Sequence, residues 1–420
     1  MLTVLPAATI VNGQSVISSP YSAFGLGNLS DPNNTRFRGM GNLSIGMRDY
    51  FTVNPSNPAS YSAFDSTSFV FEGAVKGFYN TLETNEISEP ASSATLEHLL
   101  FGFPVTKWWH SSFGLLPYSS VGYHVTDVDD HPDLKTVKYT FEGEGGLNRV
   151  YWGHSIRPVN WLSLGVNASY LFGSINKIQK VVFPDTVNVL GTRVDNSLFI
   201  NGITFDFGVQ YHTLLKNKYN LTIGGVYQPA LRINSEKNYM ARTFISQISN
   251  VDIFRDTAVI VEGLKGETTI PSGYGIGFSL ANSYDWTIGF DYRYNNWSGF
   301  ESFGINDSLQ DRHLIHAGGA FIPDRNSLKY FNRVEYRLGG YYENTALKLR
   351  DTPINGFGIT FGMGLPLKGA SARRSKSMLN ITLEYGRRGT FENDLIRESY
   401  FNVHLGVSVY EWWFFKKRYK

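Results

Sequence analysis

The chain has 420 residues, a formal net charge of +2 and no cysteine. A charge so close to zero argues against a nucleic-acid partner, and the missing cysteine excludes disulfides and thiolate metal sites. Aromatic residues make up 15% of the chain and glycine contributes 42 residues, which is typical of strands joined by tight turns. No stretch approaches the roughly 20 apolar residues of a membrane-spanning helix, so only a closed barrel could take this chain across a bilayer.

The N-terminus contains a short apolar stretch that ends in small or polar residues, with no basic region before it. We interpret residues 1–14 as the remnant of a secretory signal peptide that begins further upstream. The alternative is an ordinary mobile N-terminus.

Two Asn-Pro steps, Asn54-Pro55 and Asn57-Pro58, precede the first strand-like stretch. Each proline fixes its own φ and biases the asparagine before it towards extended or turn geometry. The pattern therefore predicts a shaped coil rather than a helix or a regular strand.

Alternation of apolar with small or polar residues recurs down the chain. From Gly356 to Leu365 every odd position is apolar and every even position is glycine or threonine. By the same period of two, strands are predicted at residues 67–82, 94–106, 111–126, 147–157, 161–176, 197–213, 219–232, 269–282, 286–298, 312–323, 332–344, 356–367, 377–388 and 399–413. These are about fourteen strands, an even number.

Short connections alternate along the chain with longer, more polar ones. The longer connections include residues 127–146, 177–196 and 233–267. Near the short turns lie Trp108, Trp109, Trp152, Trp161, Trp286, Trp412 and Trp413. Unequal loops and an aromatic girdle are typical of outer-membrane barrels. We predict an all-β fold, a transmembrane antiparallel β-barrel of about 14 strands; a soluble sandwich is the alternative.

Charged residues fall on the face that would line the lumen of such a barrel: Asp206, Asp291, Arg293, Glu335, Arg337 and Glu384. Opposite charges here could pair across strands or bridge to a plug. The functional interpretation is a polar pore or gate. The alternative is a salt-bridge network that only fills the interior.

No signature of catalysis or of a cofactor stands out. His212, His404 and inward serines have no G-x-S-x-G or similar frame, so the chain is not expected to be an enzyme. The acidic run Asp127–Asp133 lacks EF-hand spacing and is expected to be a solvated loop without a metal. We predict no cofactor.

Pro117 interrupts the alternation of the third predicted strand. Because proline cannot donate to a ladder, the strand is expected to bulge or kink there. Pro117 is therefore the candidate for an opening in the barrel wall.

The run from Arg36 to Tyr50, followed by Asn57, Pro58 and Ala59, resembles the amino-terminal hatch of the FadL/TodX outer-membrane transport family, whose hatch ends in Asn-Pro-Ala ahead of a fourteen-stranded barrel. The motif similarity covers about residues 36–65, and the layout covers nearly the whole chain. The Ser-Pro-Tyr-Ser start and the Trp-Trp-Phe-Phe ending resemble members from Bacteroidota.

The resemblance implies a hatch at residues 15–65 inside a barrel at residues 66–420, in the bacterial outer membrane, with hatch and C-terminus towards the periplasm. It also implies uptake of hydrophobic compounds such as long-chain fatty acids, which leave sideways at Pro117 under control of the hatch. Partners would be outer-membrane lipid and a hydrophobic ligand. The charged lumen positions depart from what free passage of an apolar molecule requires.

Two other functions stay open. The resemblance also implies a second function, because some relatives serve as non-transporting subunits of outer-membrane secretion or barrel-assembly complexes. The chain would then have membrane-protein partners. A general porin would need an open lumen, which a folded hatch would block.

Overall fold

The computed structural model describes residues 19–185, 189–246, 252–282, 285–367 and 377–412. The short elements are β1 (Asn28–Leu29), α1 (Thr35–Arg38), β13 (Glu301–Ser302) and 3₁₀ turns at Pro20–Ala23, Pro58–Ala63, Trp297–Gly299, Tyr330–Arg333 and Glu392–Asp394. The long strands are β2 (Ser68–Glu83), β3 (Ser88–Pro104), β4 (Trp109–His131), β5 (Lys135–Val159), β6 (Leu162–Val182), β7 (Gly191–Leu215), β8 (Tyr219–Gln228), β9 (Leu231–Ser246), β10 (Asp252–Ile270), β11 (Gly273–Asn282), β12 (Trp286–Asn295), β14 (Arg312–Phe321), β15 (Glu335–Leu349), β16 (Thr352–Pro366), β17 (Met378–Gly389) and β18 (Arg397–Trp412).

These strands form a closed antiparallel barrel, because β18 pairs with β2 along its whole length, from Arg397 opposite Glu83 to Trp412 opposite Ser68. β8 and β9 are two parts of one wall strand interrupted at Pro229, and β10 and β11 are two parts of the next, interrupted at Pro271. Counted this way the described chain has 14 wall strands, which confirms the predicted fold class.

The outer face of the barrel is apolar and exposed. On β16, Phe357, Ile359 and Phe361 are exposed, whereas the residues between them are buried towards the interior. Apolar side chains on the outside and small or polar ones inside are the arrangement of a barrel that meets lipid. No helix among the described residues is long and apolar enough to span a bilayer.

The connections differ from those predicted. Most of residues 127–146 and 177–196 is strand, and residues 233–267 contain a hairpin of β9 with β10. At this end, here called the long-loop end, the strands extend into the predicted loops. Continued pairing satisfies their backbone groups, so these segments need no apolar face to remain strands.

Tryptophans lie at the opposite, short-turn end. Trp108, Trp152 and Trp161 are exposed there, while Trp297 is buried near the long-loop end. The side chain of Trp412 and all of Trp413 lie outside the described residues, as do residues 1–18 with the predicted signal remnant.

Candidate functional site

Residues 19–67, here called the N-terminal segment, lie inside the barrel. Backbone around Met40 to Gly46 approaches the inner faces of β8, β11, β14 and β15 so closely that a Cβ on Gly318 or Gly339 would come within 2.4 Å of it. Other parts of the segment contact β2, β3, β6, β7, β16, β17 and β18. A segment that contacts the buried faces all around a closed ring must lie within it.

The Asn-Pro-Ala motif fits directly onto the wall. Asn57 caps the turn Pro58–Ala63 by accepting from the backbone N–H of Ala59, and its side-chain amide donates to the carbonyl of Ile45 at 2.8 Å. A Cβ on Gly208 would lie 2.2 Å from Oδ1 of Asn57. The rigid geometry of the motif therefore allows a close contact that only glycine in the wall permits.

Asp291 on β12 holds the middle of the N-terminal segment. Its carboxylate accepts from the backbone N–H groups of Ser44 at 2.6 Å and Ile45 at 2.8 Å. Consecutive N–H groups that converge on one carboxylate form a strong, charge-assisted contact. Asp291 thus fixes the loop position rather than pairing with Arg293.

A buried row of four charges joins the segment to β15. The guanidinium of Arg36 contacts Asp49 and donates to Glu335 at 2.9 Å, and Arg337 donates to Glu335 at 2.9 Å. Burial raises the pKa of Asp49, and the neighbouring Arg36 opposes that rise. Burial alone would lower the pKa of Arg36, but Glu335 and Asp49 keep it above its ordinary value.

A second buried row runs from α1 to β17. Arg38 pairs with Glu97 on β3, whose carboxylate lies 2.7 Å from Nδ1 of His404, while Nε2 of His404 lies 3.0 Å from Glu384. His404 thus lies between two carboxylates, each within hydrogen-bond distance of one ring nitrogen.

The wall has a seam where β3 and β4 part. They pair only from Leu99 opposite Leu115 to Pro104 opposite His110. Just beyond, Glu97 is an extra residue in the β2–β3 ladder and Tyr118 is an extra residue in the β4–β5 ladder. Two bulges at the height of Pro117 turn the strands apart, which is a usual effect of bulges.

The N-terminal segment occupies the β4 side of this seam. β1 pairs with β4, Leu29 lying opposite Ser119, and the N–H of Ser30 donates to the carbonyl of Tyr118 at 2.9 Å. Nearer the long-loop end of β4, the N–H of Ser19 donates to the carbonyl of Gly122 at 3.0 Å. The segment therefore supplies the backbone partner that β3 does not.

The same stretch is also held by β17 and β18, which lie beyond β3 and β2 on the other side of the seam. Arg388 on β17 donates to the hydroxyl of Ser19 at 2.9 Å and to Oδ1 of Asn28 at 3.0 Å, and it is paired with Glu398 on β18. Tyr21 donates to the carbonyl of Ile396. Residues 19–30 are thus fixed by polar contacts on both sides.

An apolar cluster surrounds Leu26 of the N-terminal segment. Leu26, which is 1% exposed, packs among buried side chains of several strands, such as Val121 and Leu147, and of the connection that contains Trp297 and Phe300. The cluster lies towards the long-loop end and anchors Leu26 to the barrel there.

The remaining predicted lumen charges lie at a cavity that is open to solvent. Asp206 and Arg293 line it, together with Arg149, Asp31 and Arg312. Arg149 lies 3.9 Å from Asp206, and Arg312 lies 3.3 Å from Asp31. Burial alone would raise the pKa of Asp31, but Arg312 and Arg293 lower it below its ordinary value.

The six predicted lumen charges therefore fall into four places. Glu335 and Arg337 share the first buried row, Glu384 belongs to the second, Asp291 binds backbone, and Asp206 and Arg293 face the cavity. Sequence reasoning missed Arg36, Arg38, Asp49 and Glu97, the partners that join the wall to the N-terminal segment. Their only signal was charge within an otherwise apolar or glycine-rich run. Among the described residues, no group of His, Asp or Glu is placed to hold a metal.

The fold is that of outer-membrane channels for hydrophobic compounds, which confirms the predicted resemblance at the level of fold. A Pseudomonas aeruginosa FadL homologue is similar with a TM-score of 0.60, at 11% identity over 92% of this chain and 99% of that one. The Pseudomonas putida toluene transporter TodX has a TM-score of 0.58, at 16% identity over 91% and 98%. The Ralstonia pickettii toluene transporter TbuX has a TM-score of 0.56, at 14% identity over 90% and 98%.

The family itself is more specific than the fold. The BamG family model matches residues 1–420, so the chain belongs to the BamG family. A search of curated proteins found no match. The structural neighbours are transport channels and not enzymes.

Proposed function

We propose that this chain is a non-transporting barrel that serves as a subunit of an outer-membrane secretion or barrel-assembly complex. The observation that carries the proposal is the seam beside Pro117, whose β4 edge is already occupied by Asn28 to Ser30 through backbone pairing. Pairing with the chain's own backbone narrows the seam on its β4 side, which supports a barrel that does not pass a ligand sideways. In this arrangement the short-turn end, with the C-terminus, faces the periplasm.

The fixed interior supports the same function. Releasing the N-terminal segment would separate Arg36 from Glu335 and Arg38 from Glu97, all of them buried or nearly so. Breaking one buried pair costs about 3–5 kcal/mol when a charge is left uncompensated. Such a plug suits a permanent structural filling better than a gate that opens at each transport event.

The cavity is poorly suited to an apolar cargo. Arg149, Arg293, Asp31 and Asp206 place charge along its walls. An apolar molecule there would have to displace water from these groups without replacing its hydrogen bonds, which is unfavourable. The lining therefore favours a solvated interior over a hydrophobic passage.

Purification from native membranes in gentle detergent tests the proposal. We expect the tagged barrel to migrate in native gels as part of a larger assembly and to bring the same partner proteins in stoichiometric amounts. Recovery of the lone barrel, under conditions that preserve another complex from the same membranes, would contradict it.

Uptake of a hydrophobic compound, long-chain fatty acid included, is the second candidate. It is favoured by the opening between β3 and β4 next to Pro117 and by the fold shared with the toluene transporters. On this hypothesis the N-terminal segment would leave β4 to let the ligand pass sideways into the membrane.

Pro117→Val tests the second candidate. If the kink forms a lateral exit, straightening β4 should lower uptake of labelled fatty acid several-fold while the folded barrel persists. Unchanged uptake in cells with equal amounts of the variant would remove this hypothesis.

A further inference from the structure

The connection between β14 and β15, residues 322–334, carries apolar side chains that no part of the described chain covers. Leu328 has 101% of its surface exposed and Phe331 has 73%. The connection lies at the short-turn end and is here called the β14–β15 turn. Two such exposed residues close together indicate a surface that binds another molecule or a membrane, because exposed apolar patches commonly mark interaction sites.

The turn is ordered by its own hydrogen bonds. The N–H of Asp324 donates to the carbonyl of Asn332 at 2.8 Å, and the side chain of Asn332 donates to Ser327 at 3.1 Å. Tyr330 reaches across to the carbonyl of Pro366 at 3.2 Å, at the end of β16. The exposed positions are thus presented by a fixed frame.

The apolar surface continues into the lipid-facing wall. Phe321, the last residue of β14, is 54% exposed, and Leu338 on β15 is 66% exposed. Both belong to the outer apolar face that runs around the barrel. Tyr336 on β15 links the two parts, because its ring stacks on that of Phe321 at 5.5 Å and its hydroxyl donates to the carbonyl of Phe331 at 3.2 Å. The turn therefore adjoins the outer apolar face at the strand ends, the level at which the headgroup region of a bilayer would lie.

Charge in the turn agrees with a position at a lipid surface. It contains one acidic residue, Asp324, against the basic residues Arg325, Lys329 and Arg333. The guanidinium of Arg333 lies 5.6 Å from the ring of Tyr330. Basic side chains interleaved with aromatic and aliphatic ones are typical of segments that lie in the membrane interface.

We infer that the β14–β15 turn is an in-plane membrane anchor, in which Leu328 and Phe331 insert into the lipid leaflet at the short-turn end. The occupant is lipid, because the turn that carries these exposed side chains adjoins the lipid-facing wall through Tyr336. This role is independent of whether the barrel transports or belongs to a complex.

The lack of native cysteine permits a direct test. The variant Leu328→Cys is labelled at its cysteine with the environment-sensitive fluorophore NBD. The matched control is Asn326→Cys, two residues away on the same turn, labelled in the same way. Each folded barrel is placed in vesicles of phosphatidylethanolamine and phosphatidylglycerol with no other protein. Retention of the compact, heat-sensitive band on gels shows that each variant is folded.

We expect the label at position 328 to emit at shorter wavelength than the label at 326 and to be quenched at least twofold more strongly by spin-labelled lipid. Equal, water-like emission from both labels would overturn the inference. Shielding of position 328 in native membranes but not in pure lipid would overturn it in favour of a protein partner.

Discussion

Arg36 joins the N-terminal segment to the barrel by charge, since its guanidinium contacts Asp49 within the segment and Glu335 on β15. Both carboxylates are nearly inaccessible to solvent. These buried ion pairs therefore hold the N-terminal segment in place more strongly than surface ion pairs would, because water screens the charges of a surface pair.

Arg36→Met should destabilise the folded barrel by about 3–5 kcal/mol, since buried Asp49 would lose its cation and would have to stay charged without a partner or take up a proton. The matched control is Arg350→Met, which removes an exposed pair with Asp394 and should cost under about 1 kcal/mol. Urea unfolding, followed by loss of the compact band on unheated gels, measures both. Equal midpoints for the two variants would contradict the assigned role of Arg36.

β1 is a strand of only two residues, yet its position depends on Gly27 just before it. Gly27 has φ of +92°, and a Cβ there would lie 2.5 Å from the carbonyl oxygen of Ser120. Both the left-handed backbone and the close approach require glycine. The contact between β1 and β4 is therefore sensitive to a single methyl group.

Gly27→Ala should loosen β1 from β4 and expose the buried side of the seam. We expect a cysteine placed at Ser119 to react with a water-soluble maleimide at least tenfold faster in this background. Gly304→Ala is the matched control, because Gly304 also has positive φ but its Cβ would have no atom closer than 3.8 Å. Similar acceleration by both substitutions would mean that the close approach to Ser120 is unimportant.

At the scale of strands, the alternation in the sequence was sufficient to locate each wall strand, because one face had to meet lipid. It did not locate the extensions at the long-loop end, such as Lys135 to Gly146 on β5, where an alternation of only three apolar residues, Val137, Tyr139 and Phe141, is followed by two glutamates and three glycines. There pairing with neighbours decides the structure, and single-sequence periodicity does not record pairing.

At the scale of the whole molecule, the sequence predicted a polar interior but not its connections. Arg36 and Glu335 are 299 positions apart, and Glu97 and His404 are 307 apart. Only closure of the barrel brings them together. The sequence also did not predict that Asn28 and Leu29 pair with β4, since these two residues carry no strand signal of their own.

The central claim is that the N-terminal segment seals the barrel wall permanently. A disulfide between Leu29→Cys and Ser119→Cys tests it, because these residues are directly opposite in the β1–β4 pair and the chain has no other cysteine. Each single cysteine variant is the control. Formation of the disulfide is read from gel mobility with and without reductant.

We predict that cells with the locked barrel keep the same recovery of partner proteins and the same growth as cells with the reduced or single-cysteine forms. Uptake of labelled fatty acid should also be unchanged by the lock. Loss of uptake or of growth that returns on reduction would contradict the account, because it would show that the segment has to leave β4 for the protein to work.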